Sequence, residues 1–256
     1  MQILFCCIRY FLLLLRLAKL LAFHNEADYS FKEKFTHATH GSLKPTDAFL
    51  LAKLLVENKP LTILEVGSFL GLSTNWLLTI SERWHAKVTA VDPNISHRIF
   101  SKPRLLLEQL NSRYLHDRLE IVTAFFGHLG TDADHFDAND SPERQSNLIE
   151  VVDASWGRTF DFIYIDGDHS YDAVMDNFTI AVKLLAPKGC IVFHDVLSWE
   201  GVSKALSEIA LMYQGKATVE LLGEGDRKLL KFIGRSNDGI GVFRLIDGSI
   251  LKRIQT

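Results

Sequence analysis

The sequence predicts an α/β protein: a doubly wound, mostly parallel sheet of seven strands with helices on both faces. Three observations carry this. Short apolar runs alternate with segments of helical apolar spacing in a strand–helix–strand order that repeats along the chain. The runs Phe162-Ile163-Tyr164-Ile165 and Cys190-Ile191-Val192-Phe193 are apolar without a break, as strands buried on both faces require. A strand ending at Val66 runs into Gly67 and Gly71, and the next strand ends in an acid, Asp92, 21 residues after Gly71. That order of turn, helix, strand and acid builds a nucleoside-binding crevice at the C-terminal end of a parallel sheet.

The elements follow in order. Residues 1–25 stand apart from residues 26–256, which form one domain. The first 23 residues are dominated by Leu, Ile, Phe and Cys; their charges are Arg9, Arg16 and Lys19, and the first acid is Glu26. Their uncharged runs are too short for a spanning helix of about 20 residues. They also lack the leading charge and small-residue cleavage site of a secretory signal. At about 100° per residue, Gln2, Arg9, Arg16 and Lys19 share one face, leaving a wide apolar face with a basic edge. Two readings stay open: a helix lying in a membrane interface, or a helix packed on the domain or on a second subunit.

Beyond it, Pro45–Val56 is helical, with Thr46 and Asp47 suited to its first turn. Thr62–Val66 is a strand, Thr74–Trp84 a helix, Lys87–Val91 a strand, Leu105–Leu115 a helix and Leu119–Thr123 a strand. The polar stretch Gly127–Arg158 reads as a surface insertion or long loop. Phe160–Ile165 is a strand, Asp172–Leu185 a helix, Cys190–Phe193 a strand and Val202–Met212 a helix. Thr218–Leu222 and Gly241–Leu245 are closing strands.

Composition narrows the function. With 28 Lys+Arg against 31 Asp+Glu the net charge is −3, which argues against a nucleic-acid-binding protein. Three Cys cannot form a disulfide framework, so a reduced, cytoplasmic setting is expected, with membrane association through residues 1–25 as the open alternative. The turn Ile63-Leu64-Glu65-Val66-Gly67-Ser68-Phe69-Leu70-Gly71 has Phe69 where a dinucleotide motif has its middle glycine, which weakens a NAD or FAD reading. No Gly-Lys-Ser/Thr follows, so it is not a phosphate-binding P-loop. Ser73 or Thr74 can satisfy free N–H groups at the start of the next helix.

The stretches ILEVGSFLGLST, VTAVDPN, FDFIYIDGDHSYDAVMDNF and LLAPKGCIVFHDV together resemble a class I S-adenosylmethionine-dependent methyltransferase. The resemblance is to the branch called methyltransferase family 24, similar to catechol-type and sugar O-methyltransferases, and it covers roughly residues 40–245. It implies a Rossmann-like sheet and S-adenosylmethionine as cofactor. Glu65, Gly67 and Gly71 would line the methionine part and Asp92 would hold the ribose, with Ser68 and Ser73 completing the cofactor-binding set. Where the family often has a Gly-Asp-Ser-like sequence after the third strand, this chain has Thr123-Ala124-Phe125-Phe126.

The fourth strand ends at Asp166, followed by Gly167, Asp168 and His169. The fifth ends in Phe193-His194-Asp195. Neighbouring strand ends lie about 5 Å apart. Two carboxylates at that distance repel unless a cation lies between them, and oxygen ligands select Mg²⁺ or Mn²⁺. The metal set is therefore Asp166 and Asp195 with His194 as third ligand; capping and packing roles for these residues are the bland alternative. The resemblance points the same way, since catechol-type enzymes bind a divalent metal at these strand ends. They usually use two acids, or an acid and an amide, where this chain has His194-Asp195. A His at position 169 is the side chain suited to take a proton near neutrality, and similar sugar enzymes use one there as general base. His169 and Asp166 are thus the catalytic candidates. His37 or His40 is placed to line the site, and Trp199 to wall the acceptor pocket.

The expected reaction is O-methylation of a hydroxyl on a sugar or another small molecule with divalent-metal assistance. The acceptor is small or a glycan, and a homodimer is an open partner. Two alternatives remain: a metal-free methyltransferase for another nucleophile, and a binding protein that has kept the fold and lost turnover.

Overall fold

The computed structural model describes residues 2–24, 28–97, 99–127, 150–223 and 238–247. The strands are β1 (Thr62–Val66), β2 (Lys87–Asp92), β3 (Leu119–Phe126), β4 (Glu150–Val152), β5 (Phe160–Ile165), β6 (Leu185–Phe193), β7 (Ala217–Leu222) and β8 (Ile240–Leu245). The helices are α1 (Gln2–Phe23), α2 (Phe31–His40), α3 (Pro45–Asn58), α4 (Leu72–Ile80), α5 (Pro103–Leu110), α6 (Tyr171–Lys183) and α7 (Glu200–Met212). The sheet order is β4-β3-β2-β1-β5-β6-β8-β7, with β8 antiparallel to both of its neighbours and the other pairs parallel.

Among the described residues the sheet has eight strands, one more than the seven expected. Residues 128–149 of the expected Gly127–Arg158 loop lie outside the described residues; its described far end contains β4. Glu150–Val152 pairs in parallel with Ala124–Phe126, so β3 runs three residues past its expected end at Thr123. A backbone with a pairing partner stays in the sheet, and β4 supplies that partner.

The uninterrupted apolar strands are explained by burial on both faces. Along β1, Ile63 packs into a core shared with α1, α3, α4 and α5, while Leu64 packs into a second core shared with α6 and α7. Phe162 and Ile163 divide in the same way on β5. α2 starts with a capping box: the Ser30 hydroxyl accepts from the Glu33 N–H, and the Glu33 carboxylate accepts from the Ser30 N–H. α3 starts with Pro45 in its first turn, where a missing N–H costs nothing, and ends at Lys59 in the left-handed region.

α1 packs on the domain. Leu13, Leu17 and Leu21 are buried in the first core. Tyr10 donates its hydroxyl to the Leu43 carbonyl at 2.6 Å and meets the Trp76 ring edge-on at 5.9 Å. Burial pushes the Tyr10 pKa up to about 12. Arg9 donates to the Thr79 carbonyl at 3.0 Å. No helix among the described residues is long and apolar enough to cross a membrane.

Candidate active site

β1 delivers the chain to Gly67 at φ +82°, and α4 begins at Gly71 at φ +83°. Both values lie where residues other than glycine are strained. Space decides the matter independently. A Cβ at position 67 would lie 2.2 Å from the Asp166 carbonyl oxygen, and one at position 71 would lie 2.6 Å from Asn111 Nδ2. The close approach at Gly67 is thus made by the end of β5, so the glycine turn and the β5 acid touch through backbone.

Asp92 braces the turn. Its Oδ2 accepts from the N–H groups of Ser68 and Phe69 at 2.8 and 2.9 Å, and its Oδ1 accepts from the Asn94 N–H at 2.7 Å. The Ser68 hydroxyl is buried with no hydrogen-bond partner among the described residues. Glu65 is wholly buried, and Thr74 Oγ1 donates to it at 2.5 Å. Burial pushes the Glu65 pKa up to about 8, with hydrogen bonds from Ser73 and Thr74 opposing the rise. The expected cap at the start of α4 is absent: Gly71 holds the N-cap position, no side chain caps it, and the Thr74 hydroxyl is directed to Glu65.

The second half of the site sits at the ends of β5 and β6, which pair at Ile165 and Phe193. His169 Nε2 is 2.8 Å from Asp195 Oδ2 and 3.9 Å from Asp166 Oδ1. His194 Nδ1 is 3.0 Å from Asp166 Oδ1 and 3.5 Å from Asp195 Oδ1. Each imidazole therefore reaches both carboxylates. Burial alone would push the His169 pKa down, but the adjacent Asp166 and Asp195 carboxylates hold it up at about 9. His194, more deeply buried, is raised well above its ordinary value by Asp166 first and by Asp195 and Asp47, against its burial. Burial acts to raise both acids, but the imidazoles hold Asp166 low and Asp195 lower still. Asp195 itself adopts φ +61°, a strained conformation of the kind that concentrates at functional sites.

The surroundings fix these groups. Asp168 accepts from the Ser170 N–H at 2.7 Å, so it shapes the turn and does not join the cluster. His169 stacks on Trp199, with ring centroids 5.0 Å apart and an interplanar angle of 11°. Gly201 is forced by this turn, because a Cβ there would lie 2.3 Å from the His169 carbonyl. Tyr164 donates to Asp166 Oδ2 at 3.2 Å.

All the sequence-derived residues come to the same end of the sheet. Glu65, Gly67, Ser68, Gly71, Ser73 and Asp92 form the β1–α4 side, and Asp166, His169, His194 and Asp195 the β5–β6 side. His194 is set back: its ring is buried behind Asp166, and its Nε2 lies 3.8 Å from Asp47 Oδ2. Among the described residues, two sets of oxygen and nitrogen atoms converge within 4.8 Å of one another: those of Asp166, His169 and Asp195, and the buried set of Asp47, His194 and Asp238. His37 lies near the turn, its ring 6.4 Å from that of His97, which in turn lies 5.8 Å from Phe69. Asp47 is the residue that sequence reasoning missed. It was read as a first-turn acid, yet it is fully buried and accepts from the N–H groups of Asp238 and Gly239 at 2.9 and 3.2 Å.

The fold and the site together define a class I methyltransferase architecture. The family described as a methyltransferase domain (Methyltransf_24) matches residues 64–196, more than half of the chain, and the protein belongs to it. It is a methyltransferase of the S-adenosylmethionine-dependent class. Solved structures share the fold at low identity. A methyltransferase from Podospora anserina, bound to SAH, is 14% identical, with a TM-score of 0.56 over 92% of this chain and 88% of that one. An O-methyltransferase from Bacillus cereus in complex with SAH is 20% identical, with a TM-score of 0.51 over 84% of this chain and 89% of that one. An O-methyltransferase from Streptomyces achromogenes involved in tomaymycin synthesis, in complex with SAM, is 16% identical, with a TM-score of 0.51 over 80% and 81%. No curated protein matches the sequence.

Proposed function

We propose that the protein transfers a methyl group from S-adenosylmethionine to a hydroxyl of a sugar or another small molecule. The observation that carries this reading is the contact between the glycine turn and the β5 acid. A Cβ on Gly67 would strike the Asp166 carbonyl, so a cofactor seated on the turn lies next to the acid–imidazole cluster. The chain's groups suit the cofactor: Ser68 offers a buried hydroxyl with no partner among the described residues, and Asp92 a partly exposed carboxylate at the end of β2. The sulfonium of the bound cofactor supplies an electrophilic methyl. The protein's task is alignment and proton handling.

On the acceptor side, Trp199 offers an exposed flat wall beside His169. His169, oriented through Nε2 by Asp195, is the group to take the acceptor's proton once it has given up its own. Asp166, Asp195 and His169 converge closely enough to hold a divalent cation, and two carboxylates with one imidazole would suit Mn²⁺ better than Mg²⁺. An imidazole bound to the ion is not also the proton acceptor, so in that case the acceptor's proton would pass to solvent. Such an ion would lower the pKa of a hydroxyl bound there. The same distances favour a second, metal-independent reading. Both imidazoles lie within ion-pair reach of both acids, so their mutual repulsion is already relieved without an ion. His194, behind Asp166, acts in either case by holding that carboxylate in place.

Calorimetric titration with S-adenosylmethionine, with and without Mn²⁺, followed by methyl transfer to a panel of sugars and phenols, tests the proposal. Absence of cofactor binding overturns it. Activity that disappears with EDTA and returns with Mn²⁺ selects the metal reading; full activity in EDTA selects the other.

A further inference from the structure

We propose that the outer face of α1 docks on an anionic lipid bilayer, with the helix lying in the headgroup layer. α1 has a wide apolar face with a basic edge, and the domain covers only one side of it. Leu13, Leu17 and Leu21 are buried, whereas Leu4, Ile8, Phe11, Leu12 and Leu15 form an opposite stripe that is 67%, 52%, 59%, 52% and 49% exposed among the described residues. A contiguous stripe of bulky apolar side chains facing water marks a docking surface.

Charge identifies the occupant. Arg16 and Lys19 are exposed at the edge of the stripe. With Arg9 and Arg113 they line a cleft of about 450 Å³ that also contains Leu12, Leu13 and Leu15. The acid in that cleft, Glu82, is already engaged by Arg9 at 3.8 Å and Arg113 at 3.5 Å. Four cations face one acid around an apolar strip, which matches lipid phosphates above acyl chains. A second copy of this chain meeting the same face across a two-fold axis would bring these cations against themselves. Since no helix among the described residues is long and apolar enough to cross a membrane, the docking is interfacial.

The test uses the full chain in flotation with phosphatidylcholine vesicles, with and without phosphatidylglycerol. Binding is expected to the anionic vesicles and to weaken as salt rises. Arg16→Glu with Lys19→Glu, and separately Phe11→Ser with Leu15→Ser, should each reduce partitioning by ~10-fold or more. These side chains are exposed, so thermal unfolding should be little changed. Equal partitioning to neutral and anionic vesicles overturns the proposal, as does wild-type binding by both variants. A dimer that the serine variant dissociates assigns the face to a second copy and overturns it too.

Discussion

The two halves of the site are held by different forces. The β1–α4 turn is fixed by shape: Gly67 and Gly71 sit where any Cβ would collide with β5 or α5, and the nearest carboxylate, Asp92, is satisfied by backbone N–H groups. The β5–β6 end is fixed by charge: two acids and two imidazoles hold one another at 2.8 to 3.9 Å. A cofactor cradle needs a constant surface, and packing provides one. A proton-handling cluster needs groups that can change charge, and only ionisable side chains provide that. Substitutions that change shape alone and charge alone should therefore separate the two halves.

The largest effect is expected at Gly67. Gly67→Val keeps every charge and adds bulk 2.2 Å from a backbone oxygen at a positive φ. It should cost at least ~3 kcal/mol of stability and abolish S-adenosylmethionine binding, read by thermal unfolding and calorimetry. A variant that binds the cofactor normally would break the contrast. Asp166→Asn makes the opposite change, keeping shape and removing charge. It should leave cofactor affinity within a few-fold and lower turnover by ~10²–10⁴, as should His169→Ala. Equal losses of affinity and turnover would mean that the halves act as one unit.

A smaller, pH-dependent effect is expected at Glu65. Its folded pKa of about 8 lies above the ordinary carboxylate value of 4.5, so the folded state binds the proton more tightly than the unfolded one. The stability that this proton supplies is complete below about pH 4.5 and is lost as pH rises through 8. Between about pH 5 and pH 9 the unliganded wild type should lose on the order of a few kcal/mol relative to Glu65→Gln. Parallel stability curves in chemical denaturation would contradict this. The smallest effect belongs to Asp92→Ala, which should weaken cofactor binding by ~1–3 kcal/mol through lost hydrogen bonds.

Much of this was legible in the sequence because local rules decide it. The strands show as apolar runs, and the two glycines and three strand-end acids lie next to them in the chain. What was not legible depends on distant partners. β4 is three residues long and exists because β3 extends to meet it. Asp47 looks like an ordinary first-turn acid until a chain segment 191 residues away donates two N–H groups to it. His194 reads as a metal ligand because its chain neighbour is an acid; only the packing of α3 adds Asp47 and Asp238 to the acids that its ring meets. α2 was visible and passed over, since Ser30 and Glu33 spell a capping box.

The placement of β8 sets an order on the birth of the molecule. β8 follows β7 in the chain but lies between β6 and β7 in the sheet, antiparallel to both. A nascent chain on the ribosome that has delivered residues up to 222 thus has a β7 with nothing to pair to. The edge of β6 is still open, and exposed strand edges invite pairing with other chains. The two N–H groups that Asp47 awaits also emerge only with Asp238 and Gly239. The buried Asp47 therefore gains these partners only after β7 has been made, just before β8 arrives to fill the gap between β6 and β7.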